Sequence, residues 1–248
     1  MKPLFRWLLD TVLPPTCLAC DALVEKEGQF CLDCFRAANF VSAPLCRCCG
    51  VPLPYAASGG PTQKCAACTA AAPAFTQARA ALRYDEIAKK LILPLKYADH
   101  TEAVNGLAEL MRRPGEPLLQ AANVLVPVPL HIKRLRERRF NQAALLAIQL
   151  ARLTGRPVGV DKLIRRRETM PLEGLDLAAR RAQIEGAIVI RPDADVRGKR
   201  VLLIDDVMTS GVTANECARV LLAAGARRVD VLTAARVADP RYDEMGLA

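Results

Sequence analysis

The segment Val201–Thr213, VLLIDDVMTSGVT, limits the possible folds more than any other part of the chain. Four aliphatic residues follow one another without alternation, which suits a strand buried on both faces, as in a parallel sheet covered by helices. Asp205 and Asp206 come next, then small hydroxyl residues around Gly211. Open α/β sheets bind ligands outside the carboxyl ends of their strands, so polar chemistry belongs at this point. The turn feeds a helix starting near Thr213, whose free N–H groups can cradle a phosphate with help from the hydroxyls. Carboxylates repel phosphate, so their partners are hydroxyl groups or a divalent cation beside it. A ligand with vicinal hydroxyls and a phosphate is a sugar phosphate, and ribose 5-phosphate fits.

The surrounding pattern agrees with an α/β fold. Strands are expected at 78–84, 123–130, 186–190, 200–205 and 228–236, and their alternation with helices implies a mostly parallel sheet. A helix over 141–155 has Asn141 to cap it and Gly155 to end it, and another spans 213–226. TEAVNGLAELMRR reads as a helix stopped by Pro114-Gly115, and residues 69–77 read as a linker.

Nine of the ten cysteines lie in residues 17–68. They form four CxxC pairs: Cys17/Cys20, Cys31/Cys34, Cys46/Cys49 and Cys65/Cys68. Two CxxC turns complete a tetrahedral thiolate shell, so the pairs predict two structural Zn2+ sites with no open position for a substrate. Consecutive pairing is the simplest arrangement, with cross-braced pairing as its alternative. The CRCCG stretch leaves Cys48 and Cys49 as rival ligands, and the spacing with Gly50 favours Cys49. A disulfide framework would need export. The apolar part of MKPLFRWLLDTVLPP is short, broken by Arg6 and Asp10, and has no small-residue cleavage site before Pro14-Pro15. It reads as an amphipathic helix, which makes the expected location cytoplasmic. No apolar run reaches the roughly 18 residues of a membrane span. The predicted division is 1–70 for the first helix and double zinc ribbon, and 78–248 for the α/β domain. Cys217, alone in a helical pattern, reads as a small core residue.

Net charge is +9, and residues 131–200 carry all of it, with 17 Lys/Arg against 8 Asp/Glu. The clusters are KRLRERR (133–139), RRR (165–167), Arg180-Arg181 and RGKR (197–200). Such a concentration predicts an anion-binding surface.

VLLIDDVMTSGVT resembles the signature of type I phosphoribosyltransferases, which bind 5-phosphoribosyl 1-pyrophosphate (PRPP) with Mg2+. The resemblance implies that Asp205 and Asp206 hold the ribose hydroxyls. It also implies that Thr209, Ser210, Gly211, Val212 and Thr213 wrap the 5-phosphate. Over nearly the whole chain, the order of four CxxC pairs, LRYDEIAKKLILPLKY, VPVPLHIKRLRERRFNQA and the acidic motif is similar to the ComF family. That family joins a double zinc ribbon to a type I phosphoribosyltransferase-like domain. It is associated with natural transformation and the handling of single-stranded DNA.

VPVPLHIKRLRERRFNQ occupies the place of the family's pyrophosphate loop, with Lys133 and Arg134 as candidate ligands among Lys133, Arg134, Arg136, Arg138 and Arg139. RRRETMPLEGLDLAAR matches the family's R-x-T-x-P-Q-x-G-L-S-x-x-x-R at Arg167, Thr169, Pro171, Gly174, Leu175 and Arg180. It departs at Leu172 and Asp176.

Two readings follow. One is a phosphoribosyltransferase whose acceptor and general base the sequence does not name. The other is a module that binds PRPP and single-stranded DNA, together with a competence helicase or another DNA-processing protein. Tyr84, Tyr97 and Phe140 are the aromatics nearest to basic residues that could stack on bases. His131 and His100 are weak catalytic candidates.

Overall fold

The computed structural model describes residues 14–96, 103–169 and 177–239. Its strands are β1 (Ala78–Arg83), β2 (Val124–Pro127), β3 (Leu163–Arg165), β4 (Ile188–Ile190), β5 (Arg200–Met208) and β6 (Arg228–Arg236). Its α-helices are α1 (Leu32–Ala37), α2 (Ala66–Ala70), α3 (Glu86–Ile92), α4 (Ala103–Ala121), α5 (Ile132–Arg138), α6 (Gln142–Thr154), α7 (Leu177–Ile184) and α8 (Val212–Ala223). The expected N-terminal helix falls largely outside the described residues. No helix among the described residues is long and apolar enough to cross a membrane.

Four strands form a wholly parallel sheet in the order β1-β6-β5-β2. The unbroken aliphatic run of β5 has a direct structural cause. Val201 and Leu203 enter the core on one face of the sheet, and Leu202 and Ile204 enter the core on the other. Leu91, Leu107, Met111, Leu146 and Leu150, from α3, α4 and α6, fill the second core. Cys217 and Leu221 of α8 join the first, along with Leu163 and Ile188.

The cysteine-rich segment is built into both cores. Cys46, Cys48, Cys49, Cys65, Cys68, Val51 and Leu53 share the first core with the sheet. Ala38 belongs to the second, with Leu18, Ala19 and Phe30 packed against it. Residues 39–41 run antiparallel beside β1, through Val41 N–H to Ala81 O (3.0 Å) and Arg83 N–H to Asn39 O (2.8 Å). This covers an otherwise open sheet edge. The expected linker over 69–77 is packed as well. Phe75 is buried, Ala74 N–H donates to Asn215 Oδ1 (2.7 Å), and Thr76 N–H donates to Val229 O (2.8 Å).

Three further expectations need correction. Helix α4 does not stop at Pro114-Gly115 but continues to Ala121 with Pro114 and Pro117 inside it. Each proline removes one intrahelical donor. Beyond them, Leu118 and Leu119 are buried, each burial contributing about 1.5–3 kcal/mol, which offsets the lost bonds. Gly115 lets the helix approach β6 closely, because a Cβ there would lie 2.5 Å from Leu232 Cδ2.

The strand expected at 186–190 does form in part, as β4, but it pairs antiparallel with β3 in a separate two-stranded sheet. The basic clusters also separate. A parallel bridge between His131 and Arg165 brings the start of α5 beside the end of β3. Arg200 instead begins β5, with its N–H held by Asn123 Oδ1 (2.8 Å), so RGKR lies at the opposite end of the parallel strands. Nine residues of strand span about 30 Å. Nearness in sequence therefore did not make one surface.

Candidate functional site

The acidic pair occupies a local edge of the sheet. Strand β2 pairs with β5 only as far as Pro127 opposite Ile204. Strand β5 does not end at the acids as expected. It continues beside β6, with Asp205 opposite Thr233, Val207 opposite Ala235 and Met208 opposite Arg236. The side that β2 has left is where the two carboxylates meet a cavity. Asp205 Oδ1 accepts the N–H of Asp206 (3.0 Å), and Asp206 Oδ1 accepts that of Val207 (2.7 Å). These bonds satisfy backbone donors and orient the carboxylates. Both residues are partly exposed. Burial, then the neighbouring charge of Asp206, pushes the Asp205 carboxyl well above its ordinary range.

Beyond Met208 the chain turns through Thr209 and Ser210, both exposed, into Gly211. Gly211 has φ 77° and caps the N-terminus of α8. A side chain at this position would be strained by the left-handed backbone, and its Cβ would meet Met208 Cε at 3.0 Å. The free N–H groups of α8 therefore open next to the hydroxyls of Thr209 and Thr213.

Asp205, Asp206, Thr209 and Thr213 line one cavity of about 520 Å3 together with Arg134, Glu137, Arg138, Asn141, Gln142, Arg165, Thr169 and Arg180. Four arginines thus face three carboxylates. Ser210, Gly211 and Val212 form the adjoining turn and helix start. Lys133 is not part of the lining; it is exposed and ion-paired with Glu168 at 3.0 Å.

The expected loop at 133–139 is the short helix α5, which puts Arg134 and Arg138 on one face at i and i+4. His131 caps it, with Nδ1 accepting Lys133 N–H at 3.4 Å. Arg134 Nη2 donates to Thr169 O (3.4 Å), and Arg138 Nη1 donates to Gln142 Oε1 (3.2 Å). Gln142 is buried and anchored through Nε2 to Leu95 O (3.0 Å). Asn141 caps α6 and donates from Nδ2 to Val128 O (2.9 Å), fixing the loop that follows β2.

Arg165 is the residue that sequence reasoning did not single out. It donates from Nη2 to the hydroxyl of Thr169, and its buried Nε has no hydrogen-bond partner among the described residues. Burial, then the charge of Arg134, lowers its pKa, while Asp205 acts in the opposite direction. The RRR cluster was the available signal, but only the β3–β4 pairing shows which arginine turns inward. Pro171, Leu172, Gly174, Leu175 and Asp176 lie outside the described residues, as do Tyr97 and His100. Tyr84 packs against the core, while the rings of the exposed Phe35 and Phe40, tilted at 47° to each other, have centroids 5.3 Å apart.

The cysteines gather into two sets, Cys17/Cys20/Cys31/Cys34 and Cys46/Cys49/Cys65/Cys68. Within each set the sulfurs lie within 4.8 Å of one another. Cys20 and Cys31 Sγ are 3.6 Å apart, as are Cys49 and Cys65 Sγ. Sulfurs each about 2.3 Å from a shared tetrahedral zinc ion lie about 3.8 Å apart, so both sets fit Zn2+. Backbone donors support thiolate charge: Cys31 N–H to Cys17 Sγ (3.2 Å) and Cys65 N–H to Cys46 Sγ (3.3 Å). Pairing is consecutive, Cys49 is in the cluster, and Cys48 is a buried neighbour.

A family model described as a double zinc ribbon domain matches residues 8–69, and a phosphoribosyl transferase domain matches residues 142–245. The chain is 29% identical over 222 residues to "Competence protein F" of Haemophilus influenzae, covering 86% of this chain and 92% of that protein. It is 24% identical to "Competence protein ComFC" of Bacillus subtilis, covering 84% and 89%. The chain is similar to the ComF family in this order of domains and over most of its length. "DNA utilization protein YhgH" of Salmonella typhi is a further relative, 29% identical over 228 residues, covering 88% of this chain and 96% of that protein. An orotate phosphoribosyltransferase from Aeropyrum pernix aligns with 61% of this chain and 84% of its own, at 16% identity and a TM-score of 0.34. The fold of this protein is that of a type I phosphoribosyltransferase domain, with structural zinc sites in its N-terminal segment.

Proposed function

We propose that the cavity at the end of β5 binds PRPP and that the protein uses this site while handling single-stranded DNA during DNA uptake. The observation that carries the reading is the meeting, in one cavity, of the acidic pair, Thr209 and Thr213 at the two ends of the turn, and a group of arginines. Asp205 and Asp206 would hold the ribose hydroxyls. The turn, with Ser210, Gly211 and Val212, would hold the 5-phosphate through backbone N–H groups and hydroxyls. Arg134 and Arg138 suit the diphosphate, since guanidinium groups form short, strong and often paired bonds to phosphate oxygens. Lys133, held by Glu168, would act at the rim.

The acidic pair also suits Mg2+, which when bound with PRPP would supply charge neutralisation for the diphosphate. The raised Asp205 carboxyl fits this role, because a bound cation restores the advantage of the ionised form. Positioning and charge stabilisation are what phosphoribosyl transfer requires of its site. Residues 1–70 and 78–248 divide the labour, the first stabilised by zinc and the second holding the ligand, although the two share cores.

The names of the relatives support a role in competence and DNA use. Exposed Arg136, Arg139, Arg166 and Arg181 offer cationic contacts for a DNA backbone or a DNA-processing partner in the cytoplasm. The second reading is an active phosphoribosyltransferase of nucleotide or nucleobase metabolism with no DNA role. Labelled PRPP, incubated with purified protein, Mg2+ and candidate acceptors, separates the two. Saturable binding without acceptor-dependent pyrophosphate release supports a binding module, and acceptor-dependent release supports the transferase. Absence of PRPP binding would refute both.

A further inference from the structure

Arg236, the last residue of β6, is a buried arginine that the ligand site described above does not use. Its guanidinium joins two parts of the chain that lie far apart in sequence. On one side, Nε donates to Cys49 O (3.2 Å), and Nη2 lies 3.8 Å from Cys49 Sγ. On the other, Nη1 donates to Met208 O (3.1 Å) and to Thr209 O, and it also reaches Val237 O (2.7 Å). Cys49 belongs to the second cysteine cluster, and Thr209 opens the turn before α8.

Both ends of this bridge are firmly set. The turn is restrained from behind by Val237 N–H to Met208 O (3.0 Å) and ahead by Gly211. The cysteine end rests on β1: Ala78 N–H donates to Cys48 O (2.7 Å), and a Cβ on Gly50 would lie 2.5 Å from Ala78 O. One planar, charged, multiply bonded group spans the gap between the metal cluster and the turn. Carbonyls at Met208 and Thr209 that face Arg236 fix the direction of the peptide units leading into the turn.

We infer that Arg236 is a positioning residue that couples the metal cluster at Cys46/Cys49/Cys65/Cys68 to the phosphate-binding turn. Metal at this second site sets the affinity for PRPP, whereas metal at Cys17/Cys20/Cys31/Cys34 does not. The inference rests on the PRPP reading for its ligand and on the hydrogen bonds of Arg236 for the coupling. Coupling is reciprocal, so ligand at the turn must also be felt at the second metal site.

The test uses the full chain with both zinc ions exchanged for 113Cd, which gives one resonance per site. Adding PRPP and Mg2+ should move the resonance of the second site and leave the first in place. In Arg236→Met and Arg236→Lys, checked for two metal ions per chain, PRPP affinity should fall at least tenfold for Met and less for Lys. The second resonance should then no longer respond. Arg236→Met binding PRPP within twofold of the parent, or equal movement of both resonances, would overturn the inference.

Amide hydrogen exchange across 207–213 keeps the coupling separate from the ligand assignment. Faster exchange there in metal-loaded Arg236→Met supports the coupling even if the parent binds no PRPP, a result that would remove only the PRPP reading. Unchanged exchange would refute the coupling.

Discussion

Replacing Asp205 and Asp206 together by Asn separates ligand binding from folding. Asn keeps the size of each side chain and the carbonyl oxygen that accepts Asp206 N–H at 3.0 Å or Val207 N–H at 2.7 Å. It loses the negative charge. A hydrogen bond made by a charged group contributes about 1.5–3 kcal/mol. One such contact per carboxylate gives about 3–6 kcal/mol for the pair, a loss of roughly 150- to 25,000-fold in PRPP affinity.

Stability without ligand should change in the opposite direction. The Asp205 carboxyl is raised above its ordinary value of 3.8, first by burial and then by Asp206. The folded state therefore holds its proton more tightly than the unfolded chain. As pH rises from 3.8 towards the raised folded value, the parent loses stability, and the loss stays constant above it. The double Asn variant escapes this loss. Its melting temperature should equal or exceed that of the parent at pH 7, and the difference should shrink as pH falls below the ordinary carboxylate range. Calorimetric titration with PRPP and Mg2+, and thermal melts from pH 3 to 8, measure both effects. Undiminished PRPP affinity would refute the assignment of the acids. A ligand-free variant much less stable than the parent at pH 7 would show that the pair is structural.

Reduced protein should contain two zinc ions per chain by metal analysis. Cys65→Ser should lower the melting temperature more than Cys20→Ser, because Cys65 lies in the sheet's core and Cys20 is exposed. Gly50→Ala should cost about 2–4 kcal/mol in a denaturant titration, from the left-handed backbone at φ 67° and the contact with Ala78 O. Binding of single-stranded DNA should weaken steeply with salt, and reversing the charges of Arg136 and Arg139 should reduce that salt dependence, since each lost phosphate contact releases fewer counterions. Cys217 should resist alkylation at pH 8 in the folded protein, because burial, then the charge of Asp205, raises its thiol pKa; rapid modification there would contradict the packing.

Much of this protein was legible in its order of residues, because the informative signals are local. A strand buried on both faces needs a run such as Val201–Ile204, and a four-thiolate site needs CxxC spacing. Asn141 and Gly155 mark a helix because capping is decided within one turn of chain. The acidic pair and the hydroxyls of Thr209 and Thr213, which line one cavity, are close in sequence for the same reason.

The tertiary structure decided matters that depend on contacts distant in sequence. Pro114 and Gly115 are local helix breakers, yet α4 passes through them because Leu118 and Leu119 find a core. One basic segment became two surfaces, since β5 carries Arg200 to the opposite end of the sheet from Arg165. Arg134 and Arg138 line the cavity while Lys133 does not, a choice made by the helical phase of α5 and by the ion pair with Glu168. The second zinc ribbon lies in the core of the α/β domain, and Arg236 ties it to the turn at Thr209, 27 residues earlier in the chain. Spacing along a chain fixes what neighbouring residues can do together; only packing determines which distant groups they meet.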